Sequence, residues 1–270
     1  MDLHTPRVMG ILNITPDSFY DGGRYETKTS LLNRVEQMLR EGASLIDLGG
    51  YSTRPGAKDI STDEELKRVV PAIKDVVKSF PEALISIDTF RSEVAQAAVH
   101  EGACMINDVT GGSADPKMYQ TVANLSVPYI VMHMRGTPQT MTSLTEYENL
   151  LKELTDYFHE RIARLESLGV KDILIDPGIG FAKTPSQNFQ LLNQLHYFSI
   201  TQRPILIGVS RKSTIWKTLS ITPEEALNGT TALNTIALLK GASLLRVHDV
   251  KEAVEVVKLV SQLSMVTSSH

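Results

Sequence analysis

Cysteine is almost missing from this 270-residue chain: Cys104 is the only one, so no intrachain disulfide can form. That fits a reducing compartment, and a cytoplasmic location is the expectation. A basic excess is missing too. The 27 Lys and Arg are outnumbered by 31 Asp and Glu, for a net charge of -4, which leaves no cationic footprint for nucleic acid. No apolar run approaches the about 20 residues that a membrane-spanning helix needs, so no membrane partner is expected. Residues 1–6 lack a basic region followed by an apolar core, so no leader peptide is expected either. No Pro/Ser-rich linker or low-complexity segment divides the chain, and a single domain over 1–270 follows.

What is present is a repeating pattern. Short apolar runs recur at 8–12, 45–48, 84–87, 105–106, 129–132, 173–175, 205–209 and 244–247, eight candidate strands in all. Met105-Ile106 is the weakest of them. Helical stripes lie between: Leu31, Leu32, Val35, Met38 and Leu39 share one face, as do Leu66, Val69, Val70, Ile73, Val76 and Val77. Leu150, Leu151, Leu154, Phe158, Ile162 and Leu165 form a longer stripe. Pro71 falls inside the second stripe and is expected to kink or split that helix. Gly42, Gly102, Gly169 and Gly241 each stand just before a strand, where a left-handed residue closes the preceding helix. Strand then helix, repeated eight times without a break in composition, points to a closed (β/α)8 TIM barrel rather than an open doubly wound sheet. The stretches 15–25 and 49–62 are longer and richer in glycine than a connector requires, and are read as lid loops.

The stretch Ile173-Leu174-Ile175-Asp176-Pro177-Gly178-Ile179-Gly180-Phe181-Ala182-Lys183 carries the most information. An apolar strand stops at a carboxylate, proline prevents its continuation, and glycines allow the backbone to lie close to a ligand. Asp176 thus stands at the carboxyl end of a buried strand, where barrels place their chemistry. A plain helix-capping role for Asp176 is the simpler alternative.

Polar residues end the other strands as well: Asn13, then Thr53 and Arg54 beyond the second strand, Asp88, Asn107 with Asp108, His133, the Ser210-Arg211-Lys212 run, and Arg246 with His248. In a barrel all face one mouth. Asp88, Asn107 and Asp176 suit a flat heterocycle with several N–H donors, because a carboxylate can accept two parallel hydrogen bonds from an amidine-like edge. Lys212 can donate to a ring carbonyl or nitrogen. Arg54, Arg246 and His248 form a cationic half suited to phosphate. Asn13 is a neutral oxygen ligand that could help to hold Mg²⁺, a hard cation that keeps waters and shares a substrate phosphate. His133 reads as a hydrogen-bonding residue at the core edge, too isolated to claim a metal. Asp47 and Asp108 are equally readable as structural mouth residues, Arg211 as a partner in a salt bridge, and Trp216 as packing. Asp63-Glu64-Glu65 reads as a helix start.

These residues carry a resemblance. Asn13-Ile14-Thr15-Pro16-Asp17-Ser18-Phe19 with Asp21-Gly22-Gly23 resembles the first signature of the dihydropteroate synthase family, and Ser52-Thr53-Arg54-Pro55-Gly56 its second loop. Ile87-Asp88-Thr89, Ile106-Asn107-Asp108, Met132-His133-Met134, Asp176-Pro177-Gly178-Ile179-Gly180-Phe181, Ser210-Arg211-Lys212-Ser213 and Arg246-Val247-His248-Asp249 follow in the family's order, so the resemblance runs from about residue 7 to about residue 260. It implies a TIM barrel, usually a homodimer, that condenses (7,8-dihydropterin-6-yl)methyl diphosphate with 4-aminobenzoate in folate biosynthesis. By position it implies Asp88, Asn107, Asp176 and Lys212 for the pterin, with Phe181 also in contact. Asn13 would bind Mg²⁺, and Thr53, Arg54, Arg246 and His248 the diphosphate region. Phe19, Pro55 and Ser213 would shape the aminobenzoate pocket. Asp176, Lys212, Asp88 and Arg246 are the residues expected to carry the reaction. Tyr51 departs from the pattern, standing where the family often has Glu. The nearest rival is a pterin-binding methyltransferase module, which has no need of the cationic half. A non-catalytic pterin-binding protein and a Schiff-base lyase using Lys212 are further alternatives.

Overall fold

A computed structural model describes residues 2–14, 23–52, 59–137 and 139–267, leaving aside the side chains of 23–27 and 264–267. Eight strands alternate with helices along the chain. In order they are β1 (Arg7–Asn13), α1 (Gly23–Glu41), β2 (Leu45–Gly49), α2 (Thr62–Ser79), β3 (Ile85–Asp88), α3 (Ser92–His100), β4 (Met105–Asp108), α4 (Met118–Leu125) and β5 (Tyr129–Met132). They continue with α5 (Leu150–Ser167), β6 (Ile173–Asp176), α6 (Pro185–Asn193), β7 (Leu206–Ile207), α7 (Ser213–Leu219), α8 (Leu227–Leu239), β8 (Leu244–Val247) and α9 (Val250–Thr267). All pairings are parallel, in the order β6-β5-β4-β3-β2-β1-β8-β7. The ends meet where Ile175 bridges Ile205 and the Ile175 amide donates to Pro204 O at 3.0 Å. The sheet is thus a closed barrel, as the alternating pattern predicts.

The strands are apolar on both faces because both faces are covered. Outside, Val8, Ile46, Ile87, Val131 and Ile175 pack against helix residues such as Val35, Val69, Ile73 and Phe158. Inside, Met9, Leu45, Met105, Ile130, Leu174, Leu206 and Leu244 fill the barrel, with Leu3 packed against them. Side chains alternate along a strand, so two residues on from this apolar layer the interior positions are Ile11, Asp47, Asn107, Met132, Asp176, Gly208 and Arg246. That alternation changes an oily core into a polar mouth within one step.

The region 205–209 contributes only two strand residues, the shortest strand of the eight. Met105-Ile106, the weakest candidate, extends to four. The four helix-closing glycines all adopt positive φ, from 86° to 114°. Pro71 does not split its helix. Residues Thr62–Ser79 run as one element with Pro71 on an exposed position, where the carbonyl it leaves unpaired can meet water. Ser61 caps that helix through Glu64 N at 3.2 Å, ahead of the expected acidic turn. The expected lid over 15–25 is shorter than read, since Gly23 already begins α1; residues 15–22 lie outside the described part. In 49–62, Gly49 ends β2, Thr62 begins α2, and 53–58 lie outside it.

Candidate active site

Register explains why residues far apart in sequence share one level at the mouth. Asn13 pairs with Gly49, Gly49 with Asp88, and Asp88 with Asn107. Gly49 lies between Asn13 and Asp88: a Cβ there would make ordinary contact, 3.4 Å from Asp88 Cβ and 3.7 Å from Asn13 Oδ1.

Arg246 reaches across the interior from β8. Its Nε donates to Asp47 Oδ2 and its Nη2 to Asp88 Oδ2, each at 2.6 Å, while Asn107 Nδ2 donates to the same Asp47 oxygen at 2.9 Å. The guanidinium therefore sits among the acids and not in a separate cationic half. Its burial opposes the charge, but Asp47 and Asp88 prevail and push its pKa up. Burial drives the Asp88 carboxyl up to about 7, with Arg246 holding it down and Asp47 adding to the rise. Asp47 is wholly buried, and among the described residues its Oδ1 finds no hydrogen-bond partner.

Asp176 closes β6 with 5% of its surface exposed. The Gly178 amide donates to its Oδ1 at 2.7 Å. Burial raises its pKa, and Lys212, the Gly178 amide, Lys183 and Arg246 pull against that rise. Lys212 comes from the loop after β7, where it precedes α7. Its Nζ donates to Ile179 O at 2.5 Å and stands 4.7 Å from the Phe181 ring centre. Burial lowers its pKa to about 8, against the pull of Asp176. Glycine is needed on one side of this lysine: Gly180 has φ +83, and a Cβ there would lie 3.3 Å from Lys212 Cδ, whereas one on Gly208 would make only ordinary contact, 3.8 Å from its Nζ. Asp88, Asn107, Asp176, Lys212 and Arg246 thus converge at a single rim.

The other predicted residues divide. His248 lies beside Ser210, with Nδ1 3.0 Å from its Oγ, and its carbonyl accepts from Arg34 Nη2 at 2.7 Å. Ser213 opens α7, half-buried. Thr53 and Arg54 lie outside the described residues, as do Phe19 and Pro55. Arg211 makes the expected salt bridge, donating Nε and Nη2 to the two Asp249 oxygens at 3.0 and 2.5 Å. Asp108 is structural. It accepts from Thr110 N at 2.7 Å, Gly112 N at 2.9 Å and Tyr129 Oη at 2.7 Å. Tyr51, the departure from the family pattern, is buried with its ring edge-on to Phe90 at 5.0 Å, and its hydroxyl accepts from Gln139 Nε2 at 3.3 Å. It therefore ties the base of the second loop to the loops after β3 and β5.

Two features escape the reading of strand ends. One is an apolar wall of Val109, Met132, Met134, Met141 and Ala182, with Phe90 and Phe181 packed on it. A flat ring could lie against such a surface. The other is Lys183, which is buried with its Nζ 3.0 Å from His133 Nδ1. The only sign of it in the sequence is a lysine in a loop otherwise made of apolar residues, proline and glycine.

Comparison with known proteins agrees with this geometry. Residues 9–248 match the family described as pterin binding enzyme. The dihydropteroate synthase of Escherichia coli (strain K12) is 43% identical over 262 residues, covering 96% of this chain and 92% of that protein. The Yersinia pestis dihydropteroate synthase, solved with a sulfonamide drug complex, superposes with a TM-score of 0.92 at 39% identity, covering 98% of this chain and 96% of that one. The Xanthomonas albilineans enzyme with 4-aminobenzoic acid superposes at 0.90 and 40% identity, covering 98% and 95%.

Proposed function

The chain belongs to the pterin binding enzyme family, and from that premise we propose that it is a dihydropteroate synthase. It joins (7,8-dihydropterin-6-yl)methyl diphosphate to 4-aminobenzoate, releasing diphosphate and giving 7,8-dihydropteroate for folate biosynthesis. The observation that carries this reading is the single rim where Asp88, Asn107, Asp176, Lys212 and Arg246 meet beside an apolar wall. Asp176 and Asn107 receive the donor edge of the pterin, and Lys212 donates to its carbonyl or ring nitrogen.

The reaction breaks the bond between the pterin methylene and the diphosphate oxygen ahead of attack by the aniline nitrogen. The positive charge left on the pterin is stabilised by Asp176, and the departing diphosphate by Arg246 and His248. A C–N bond then forms and the aniline nitrogen loses a proton. Water is the competing nucleophile, so the reaction requires a site from which water is kept away.

Mg²⁺ fits the donor set only as an ion shared with substrate. Among the described residues no group of three or more His, Cys, Asp or Glu could hold a metal, whereas Asn13 offers one carboxamide oxygen beside Gly49. When bound, the ion neutralises charge on the leaving diphosphate.

A homodimer is supported by apolar side chains on two packed helices: Ile236 and Leu239 on α8, and Leu259 and Leu263 on α9, the last two 70% and 58% exposed. A second copy covering them would remove that patch from water. A cytoplasmic location rests on the lone Cys104; among the described residues no helix is long and apolar enough to cross a membrane. The test is direct: the purified protein is mixed with both substrates and Mg²⁺. Appearance of dihydropteroate and diphosphate in equal amounts supports the proposal, and recovery of both substrates unchanged overturns it.

A further inference from the structure

We propose that Lys183 is a positioning residue: its ammonium clips the loop after β6 onto His133, which sets Asp176 and Phe181 for the pterin and places a positive charge behind Asp176. This inference rests on the pterin reading of the site.

The geometry is that of a three-pronged pin. Lys183 Nζ lies 3.0 Å from His133 Nδ1, 3.1 Å from Gly178 O and 2.9 Å from Phe181 O. An ammonium has three protons and no lone pair, so all three are used and His133 Nδ1 must accept. His133 is then neutral with its proton on Nε2, and burial with the nearby charge of Lys183 holds its pKa well below the usual value. The clipped groups lead straight to the rim. Gly178 donates its amide to Asp176 Oδ1 while its carbonyl takes the lysine, and the His133 amide donates to Asp176 O at 2.9 Å. Phe181, whose carbonyl is the third acceptor, is the ring beside Lys212.

Two observations separate this from ordinary loop packing. No carboxylate pairs directly with Lys183 among the described ion pairs, yet the residue as a whole is only 8% exposed, an expensive placement that an apolar side chain would avoid. The backbone is also strained to reach it: Ala182, just before it, has φ +50. The following helix does not need the lysine, because Thr184 and Gln187 already form a complete capping box.

The charges facing Asp176 are Lys183 on its own loop, Lys212 after β7 and Arg246 on β8. Those facing Lys183 are Asp176, Lys212 and, after β5, Arg135. Burial brings Lys183 down to about 7, so below neutral pH it carries the charge that opposes the burial-driven rise of the Asp176 pKa. Removing that charge leaves burial less opposed, and the Asp176 pKa rises.

The experiment measures calorimetric binding of 6-hydroxymethyl-7,8-dihydropterin between pH 5 and 9. With Lys183→Met, the acid limb of binding is expected to move up by about one pH unit, a tenfold loss on its slope. With His133→Phe, which removes one acceptor and keeps the charge, the limb stays in place while affinity falls a few-fold. A folded Lys183→Met protein with the wild-type limb and affinity overturns the proposal. Should that variant not fold, the wild-type protein decides. The Asp176 ¹³Cγ resonance, assigned through Asp176→Asn, is expected to show a second inflection near neutral pH as Lys183 titrates, one that persists in Lys212→Met, and its absence from that variant overturns the proposal. Failure of the wild-type protein to bind the pterin at all would count against the function and leave this carbon signal to judge the clip.

Discussion

Replacing Arg246 with methionine strips the barrel mouth of the charge that reconciles two buried acids. The guanidinium donates to Asp47 and Asp88 at 2.6 Å each, Asp47 is 0% exposed, and methionine fills much the same volume without a proton to give. Breaking a buried pair by removing one partner costs about 3–5 kcal/mol, because the remaining charge is stranded. The cost depends on pH in a definite direction. The Asp88 pKa in the folded protein, about 7, is already above its ordinary value of 3.8, so its ionisation opposes folding increasingly as pH rises between those limits. Without Arg246 the folded value climbs further. The Arg246→Met deficit should thus be small near pH 5, open above about pH 7 and widen by up to about 1.4 kcal/mol per pH unit until the variant's own folded pKa is passed, so it is larger at pH 8 than at pH 5 and larger still at pH 9. Urea unfolding followed by both tryptophan fluorescence and circular dichroism measures it. Adding Asp88→Asn removes the stranded charge and should recover at least half the deficit, a coupling of about 1–3 kcal/mol, without restoring activity. Equal deficits at pH 5 and pH 8, with no recovery in the double variant, would refute the reasoning.

Three further outcomes are expected. Asp176→Asn keeps the shape of the site but loses the charge that favours a cationic pterin, and kcat should fall by about 10²-fold or more at saturating substrate. Gly178→Ala forces a side chain onto φ +70 and puts its Cβ 2.1 Å from His133 O, a backbone atom that cannot turn aside. Its unfolding free energy should drop by more than about 2 kcal/mol, read by urea midpoint. Leu259→Glu should shift the protein toward monomer in sedimentation velocity while leaving its circular dichroism unchanged.

The barrel was legible because burial and register speak plainly in short runs. The strands at Tyr129–Met132 and Leu244–Val247 coincide with their apolar runs to the residue. The four glycines mark helix ends because a left-handed residue is needed there. Composition could not shorten β7, however. Ile205 and Val209 are as apolar as Leu206 and Ile207, and only the closure of the barrel decides which of them pair. Polar residues at strand ends identified most of the rim for the same reason that they are rare elsewhere in buried strands. Their hydrogen-bond partners were beyond reach. Nothing in the order of residues reveals that Arg246 crosses the barrel to Asp47 and Asp88, because that depends on which side chains share a layer. Lys183 was hidden by its neighbours, since a lysine just before a capping threonine reads as solvated surface until the loop folds back over His133.

The most direct test of the shared rim is binding of a dihydropterin without diphosphate to the wild-type protein and to Asp88→Asn, Asn107→Ala, Asp176→Asn and Lys212→Met, by calorimetry at fixed pH. One site per chain, weakened about tenfold or more by each of the four substitutions, is the expected result. One-to-one binding that all four folded variants retain at wild-type strength would contradict it.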